Sequence, residues 1–214
     1  MTSDPPATPG TPTQIYVIRH GEKPADPPPG KPAPPPSPPF GVDVDGNQNI
    51  HSLLPRGWQR SGALAVLFDP TVGALQAGLR TPTAFYSPSY ADPDKTQNHR
   101  TYQTIQGLSE RLGVPIQSPV PEGQEPALAA AALASGGAVV LICWEHQHIP
   151  AFAQAIPSPD TTIPSAWPGD RFDVIWTFTL DPATGRYVFG QVPQQLLLGD
   201  TDTVISGGDT GTES

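Results

Sequence analysis

The chain of 214 residues contains one cysteine, Cys143. A single thiol excludes an internal disulfide and a cysteine-based metal cluster. Its place at the end of the apolar run 138–143 marks it as a buried thiol rather than a reactive one. Basic residues are also scarce, with 11 Lys and Arg against 20 Asp and Glu and a formal net charge of -9. Affinity for nucleic acid rests on many basic contacts to phosphates, so no nucleic-acid partner is expected. No apolar run approaches the ~20 residues that span a bilayer, and no membrane partner is expected either. The polar, proline-bearing first residues hold no apolar core of a secretory signal, so a cytoplasmic protein is the expectation.

Proline, by contrast, is abundant at 30 residues, and it is concentrated. Residues 1–13 read as a disordered tail, and residues 201–214, rich in Gly, Thr, Ser and Asp, as a flexible one. Between them lies one domain, 14–200, interrupted by a proline-rich insertion at 23–50. Pro27-Pro28-Pro29 and Pro34-Pro35-Pro36 offer no backbone donors, so this stretch suits polyproline II or an irregular surface loop. It is a candidate ligand for a proline-recognising partner, or a plain surface insertion.

The rest of the domain alternates between two periodicities. Ile15 to Ile18 is a short strand. Leu64, Leu67 and Phe68 share a helical face in the segment ending at Phe68, and Pro55 suits its first turn. A strand over 82–87 is followed by a polar loop to Asn98. A helix runs from Arg100 to Leu112 and stops at Gly113. A short strand at 114–117 and an alanine-rich helix at 126–134 come next. The run 138–143 is unbroken and apolar, as in a parallel strand covered on both faces. A short helix over 149–156 and a hairpin of 172–180 and 187–192 close the chain. This order predicts a three-layer α/β/α sandwich whose sheet is mostly parallel, with an antiparallel edge.

Three distant motifs follow predicted strands. They are Arg19-His20-Gly21-Glu22, then Ser87 with Arg100-Thr101-Tyr102-Gln103-Thr104, then Cys143-Trp144-Glu145-His146. Strand C-terminal ends are where open α/β sheets bind ligands. Arginine supplies forked, permanently charged donors for phosphoryl oxygens. A neutral histidine held in one tautomer can attack phosphorus and carry it covalently. Read singly, each has a plainer second reading: Arg19 as an ion-pair partner, His20 as a hydrogen-bonded core histidine, and Arg100 as a solvated charge. His51 and His99 flank the expected mouth, where either touches substrate or is simply exposed.

Taken together, these residues resemble the histidine phosphatase superfamily, with its phosphoglycerate-mutase-like fold. Arg19-His20-Gly21 matches the family's RHG, and Arg100 with Gln103-Thr104 matches R-x-x-Q-T. His146 matches the second histidine, and Leu53-x-x-x-Gly57 is similar to the family's L-T-x-x-G, with Leu54 in place of Thr. The resemblance covers roughly residues 14–195. It implies that His20 is the phosphorylated nucleophile and that Arg19, Gly21, Arg100 and His146 form the phosphate pocket. It implies a phosphomonoester hydrolase acting on a small phosphorylated substrate, of the histidine acid phosphatase kind, without metal or cofactor. The alternatives are a non-catalytic phospho-ligand-binding scaffold of the same fold and a phosphomutase. Lys23-Pro24 stands where the mutase branch has Ser and Asn, which favours a hydrolase.

A general acid must protonate the leaving group. Gln147 follows His146, so a His-Asp arrangement is absent, and Glu122, Glu125 and Glu22 are the candidates, with Glu122 first. His146-x-His148 with Glu145 is the one candidate metal cluster. Strand alternation would place Glu145 on the side opposite both histidines, so no metal site is expected. Trp167 and Arg171 either wall the pocket or, respectively, pack on the sheet and pair with Asp170 or Asp173.

Overall fold

The computed structural model describes residues 11–25, 38–89, 99–136, 139–158, 160 and 162–207. The six prolines of the two Pro-Pro-Pro runs, most of the loop to Asn98, Ala138 and the ends of both expected tails lie outside these residues. The described elements are β1 (Gln14–Arg19), α1 (Pro55–Phe68), β2 (Ala84–Tyr86), α2 (His99–Leu112), β3 (Ile116–Gln117), α3 (Glu125–Leu133), β4 (Val139–Trp144), α4 (Ile149–Ala155), β5 (Val174–Asp181) and β6 (Arg186–Pro193).

The six strands form one sheet in the order β3-β2-β4-β1-β5-β6. The pairings among β3, β2, β4 and β1 are parallel, whereas β5 joins β1, and β6 joins β5, antiparallel. The expected α/β/α sandwich with an antiparallel edge is therefore the fold of this chain. Alternation along β1 explains the layers. Ile15 and Val17 pack with Leu128 of α3 and Phe152 of α4, while Tyr16 and Ile18 pack with Leu64 and Phe68 of α1 and Leu108 of α2. A strand covered on both faces has no solvent side, so β1 and β4 are apolar throughout their middles.

Element ends follow local chemistry. Pro55 occupies the first turn of α1, where its missing N–H costs no hydrogen bond. Gly113 ends α2 with a φ of +66°, a left-handed conformation that a side chain would strain. β2 is shorter than its apolar stretch, at three residues, between Pro82 and Pro88. Two segments expected within tails are tied down. The carbonyl of Pro12 accepts from the Tyr187 hydroxyl at 2.7 Å, and Ile205 is buried, its backbone bracketed by the Gln191 amide at 2.9 and 3.0 Å.

Register sets up the site. Arg19 lies opposite Trp144, and the His20 N–H donates to the Trp144 carbonyl at 3.3 Å. β1 and β4 thus end at the same level and deliver their next residues to one edge of the sheet.

Candidate active site

His20 is buried at that edge, 3% exposed. Its Nδ1 lies 2.8 Å from the carbonyl of Gly21. A carbonyl only accepts, so Nδ1 carries the proton and Nε2 keeps its lone pair. Burial, followed by the positive charges of Arg19, Arg100 and Lys23, pushes the imidazole well below its ordinary value, outweighing the Gly21 carbonyl. The ring is neutral at pH 7, with its tautomer fixed.

Arg19 is also buried. Its Nη1 donates to the carbonyls of Pro168 and Gly169, and its guanidinium carbon stands 3.9 Å over the ring of Phe172. The loop before β5 therefore orients the cation by two carbonyls and an aromatic face. Arg100 reaches the site from the N-terminal turn of α2, and its Nη2 donates to the Ile50 carbonyl at 2.8 Å. His51 and His99 lie close enough to act electrostatically: burial, then Arg100 and His99, lowers the His51 imidazole.

Two residues of the second motif act on the backbone. The Thr104 hydroxyl donates to the Arg100 carbonyl at 2.6 Å and accepts the Gly21 N–H at 2.7 Å. Gln103 accepts the Leu53 N–H and donates to the Ser52 hydroxyl, each at 3.0 Å. Thr104 thus fastens α2 to the tip of β1, and Gln103 fastens it to the entry of α1. Ser87 instead pairs with Ser118 at 3.0 Å, apart from these residues.

Glycine at 21 and 57 answers to space. A Cβ on Gly57 would come within 2.5 Å of the Glu22 carbonyl oxygen, and one on Gly21 within 3.1 Å of the Gly57 backbone. The β1 tip and the start of α1 meet backbone to backbone, which explains the glycine of Leu53-x-x-x-Gly57.

His146 follows β4 and is buried. Donor atoms of His20, Glu145 and His146 all lie within 4.8 Å of one another. This corrects the expectation for Glu145. β4 ends at Trp144, so alternation no longer governs the next residue, and Glu145 stands with His20 and His146. His148 turns away, its Nδ1 3.3 Å from Glu125. The three donors are a chemically adequate set for a divalent ion, yet Arg19, Arg100 and Lys23 all act on His20 as positive charges and oppose a further cation there.

The structure separates the three candidate acids. Glu22 is bound up with Arg56 at 3.0 Å and with the buried Arg60 at 2.8 Å. Glu125 is buried, accepting from the Gly123 N–H at 2.8 Å and from the Trp144 indole at 3.1 Å. Both carboxylates are occupied as structural acceptors. Glu122 is half-buried, and burial, then the charges of Glu145 and Glu125, raises its carboxyl against the opposing pull of His148 and Arg100.

A cavity of about 250 Å³ opens beside His146, lined also by Gln147, Pro150, Ser165, Ala166, Trp167 and Gly169. Trp167 does both things expected of it, packing 5.0 Å from Trp176 while walling this cavity, whereas Arg171 pairs with Asp173 at 2.7 Å. A larger hollow of about 500 Å³ on the outer face of α1 is lined by Ala63, Val66 and Leu67 and contains no titratable group. Sequence reasoning missed the Pro168 and Gly169 carbonyls and Phe172. Their only signal was the distinctive Trp-Pro-Gly stretch before β5.

No family model matches the sequence, and no curated protein does. Among solved structures, the chain is similar to a protein of Agrobacterium tumefaciens provisionally designated phosphohistidine phosphatase SixA. The two are 17% identical with a TM-score of 0.47, over 84% of this chain and 98% of that one. No helix among the described residues is long and apolar enough to cross a membrane.

Proposed function

We propose that this chain is a phosphomonoester hydrolase of the histidine phosphatase kind, working through a phosphohistidine at His20. The observation that carries the reading is the state of His20: buried, neutral, with Nδ1 committed to the Gly21 carbonyl and Nε2 left as a nucleophile beside a guanidinium. A core histidine with a purely structural role would be expected to use both nitrogens in hydrogen bonds.

In this reading Nε2 attacks phosphorus while the bond to the leaving oxygen breaks. Arg19, Arg100 and His146 hold the equatorial oxygens, and the N-terminus of α2 adds partial positive charge. Glu122 is the proton donor to the leaving oxygen, because its raised carboxyl keeps a proton to higher pH than an ordinary glutamate. The resulting carboxylate then takes a proton from water, whose oxygen attacks phosphorus, breaks the P–N bond and restores His20. No metal or cofactor enters these steps.

Hydrolysis of p-nitrophenyl phosphate by the purified chain tests the reading. The expected result is turnover abolished by His20→Ala, with an acid-labile phosphohistidine trapped on quenching the wild type. Absence of turnover, or turnover that survives in His20→Ala, overturns it and leaves a phospho-ligand-binding protein.

A further inference from the structure

We infer that Glu145 is a positioning residue that fixes the ring tautomer and orientation of His146. The kinetic half of this inference rests on the phosphatase reading; the structural half does not.

Glu145 has no role in the steps above, although it lies among the reacting groups. It follows the last residue of β4, whose indole is anchored on Glu125 at 3.1 Å. The chain then turns, with the His148 N–H donating to the Glu145 carbonyl at 3.1 Å. Within that turn the Glu145 carboxylate is gripped on one side, as Oε2 accepts the Gln147 N–H at 2.7 Å. The other oxygen, Oε1, sits directly against Nδ1 of His146, a buried nitrogen that has no aligned hydrogen-bond partner among the described residues, so Glu145 is the acceptor within its reach.

A carboxylate only accepts, so this proximity favours the tautomer of the His146 ring that carries its proton on Nδ1, the nitrogen beside Glu145. The opposite nitrogen, Nε2, is left for the phosphoryl group. A ring without such an anchor exchanges tautomers and flips, and presents the correct nitrogen only part of the time. The same contact keeps Glu145 ionised. Burial alone would raise its carboxyl, but His146, the Gln147 N–H and Arg19 outweigh it and the net shift is downward. An ionised Glu145 also faces Glu122 and helps that neighbour retain its proton. Carboxylates that orient a functional imidazole from behind are typically worth about 10–100-fold in activity.

Two variants, Glu145→Ala and Glu145→Gln, test this with two readouts. The first is the ¹⁵N spectrum of the imidazoles at fixed pH, with the His146 signals assigned by their loss in His146→Gln. The second is kcat and KM for p-nitrophenyl phosphate. In the wild type, His146 should be protonated at Nδ1. In Glu145→Ala that preference should disappear, with kcat down about 10–100-fold and KM little changed. Glu145→Gln, whose amide oxygen still accepts, should restore part of both. A His146 ring that keeps its single tautomer in Glu145→Ala, or a kcat unchanged in that variant, overturns the inference. If the wild type itself shows no turnover, the phosphatase reading fails, and the ring spectrum alone decides whether Glu145 orients His146.

Discussion

Replacing Arg60 by methionine should cost this fold more than any surface change. Arg60 is 1% exposed. Its Nε and Nη2 donate to Glu22 at distances from 2.8 to 3.3 Å, Nη2 and Nη1 donate to Asp200 at 2.7 and 3.0 Å, and Nη1 also donates to Gln194 at 3.0 Å. Methionine matches the length of the stem but takes the buried cation from two carboxylates, leaving Glu22 with the partly exposed Arg56 at 3.0 Å and Asp200 with the Leu196 and Leu197 N–H groups and Arg56 at 3.7 Å. Removing one partner from a buried ion pair costs about 3–5 kcal/mol, mostly the penalty of the charge left behind. For a domain of this size that lowers Tm by roughly 6–20 °C. Urea unfolding should show a lower midpoint at an unchanged slope. Because the cost is stranded charge, adding Glu22→Gln and Asp200→Asn to Arg60→Met should recover most of it. The pH dependence follows from Asp200. Burial works to raise its carboxyl, but Arg60 and the Leu196 and Leu197 N–H groups hold it below its ordinary value. A carboxyl lowered by folding adds stability above its unfolded pKa, about 3.9, and loses it as pH falls. The gap between wild type and Arg60→Met should therefore narrow as pH falls below about 4. A loss under about 1 kcal/mol at pH 7, or a gap that widens on acidification, would refute the reasoning.

Three further outcomes are expected. Gly57→Ala forces a methyl to 2.5 Å from the Glu22 carbonyl oxygen and should cost about 1–3 kcal/mol in urea unfolding. Thr104→Val removes the acceptor of the buried Gly21 N–H; it should cost about 1–3 kcal/mol and lower kcat by displacing the tip of β1. Glu122→Gln should reduce hydrolysis of an alkyl phosphate about 10²-fold or more while barely affecting p-nitrophenyl phosphate; in the wild type, alkyl phosphate hydrolysis should peak on the acidic side of neutrality, because Glu122 is raised while His20 stays neutral well below pH 6.5.

Much of this was legible because two periodicities dominate the chain. β1 and β4 are apolar through their middles and covered on both faces, and α1 and α2 each carry an apolar stripe, so most elements and the layer order could be read directly. The tips of β1 and β4 were legible for the same reason, since a strand that ends at Arg-His-Gly or at Trp-Glu-His places polar groups at its mouth. What resisted reading was whatever depends on partners distant in sequence. Glu22 looks like part of the motif, yet Arg60 and Arg56 claim it. Glu125 looks available, yet Trp144 and His148 claim it. Glu145 was placed on the wrong side because strand alternation was carried one residue past the end of β4. The Pro168 and Gly169 carbonyls that hold Arg19 belong to a loop about 150 residues away, and no local pattern announces such a contact.

The position of Cys143 bears on robustness to oxidants. The thiol is fully buried between the two helix layers, and burial raises it so that it remains protonated. Peroxide and disulfide reagents attack thiolates that solvent can reach. If, as proposed, the nucleophile is the His20 nitrogen, the one sulfhydryl being sealed in this way leaves them no thiolate to attack at the reacting centre. Under the proposed mechanism, this chain would keep turning over in surroundings that silence phosphatases built on cysteine.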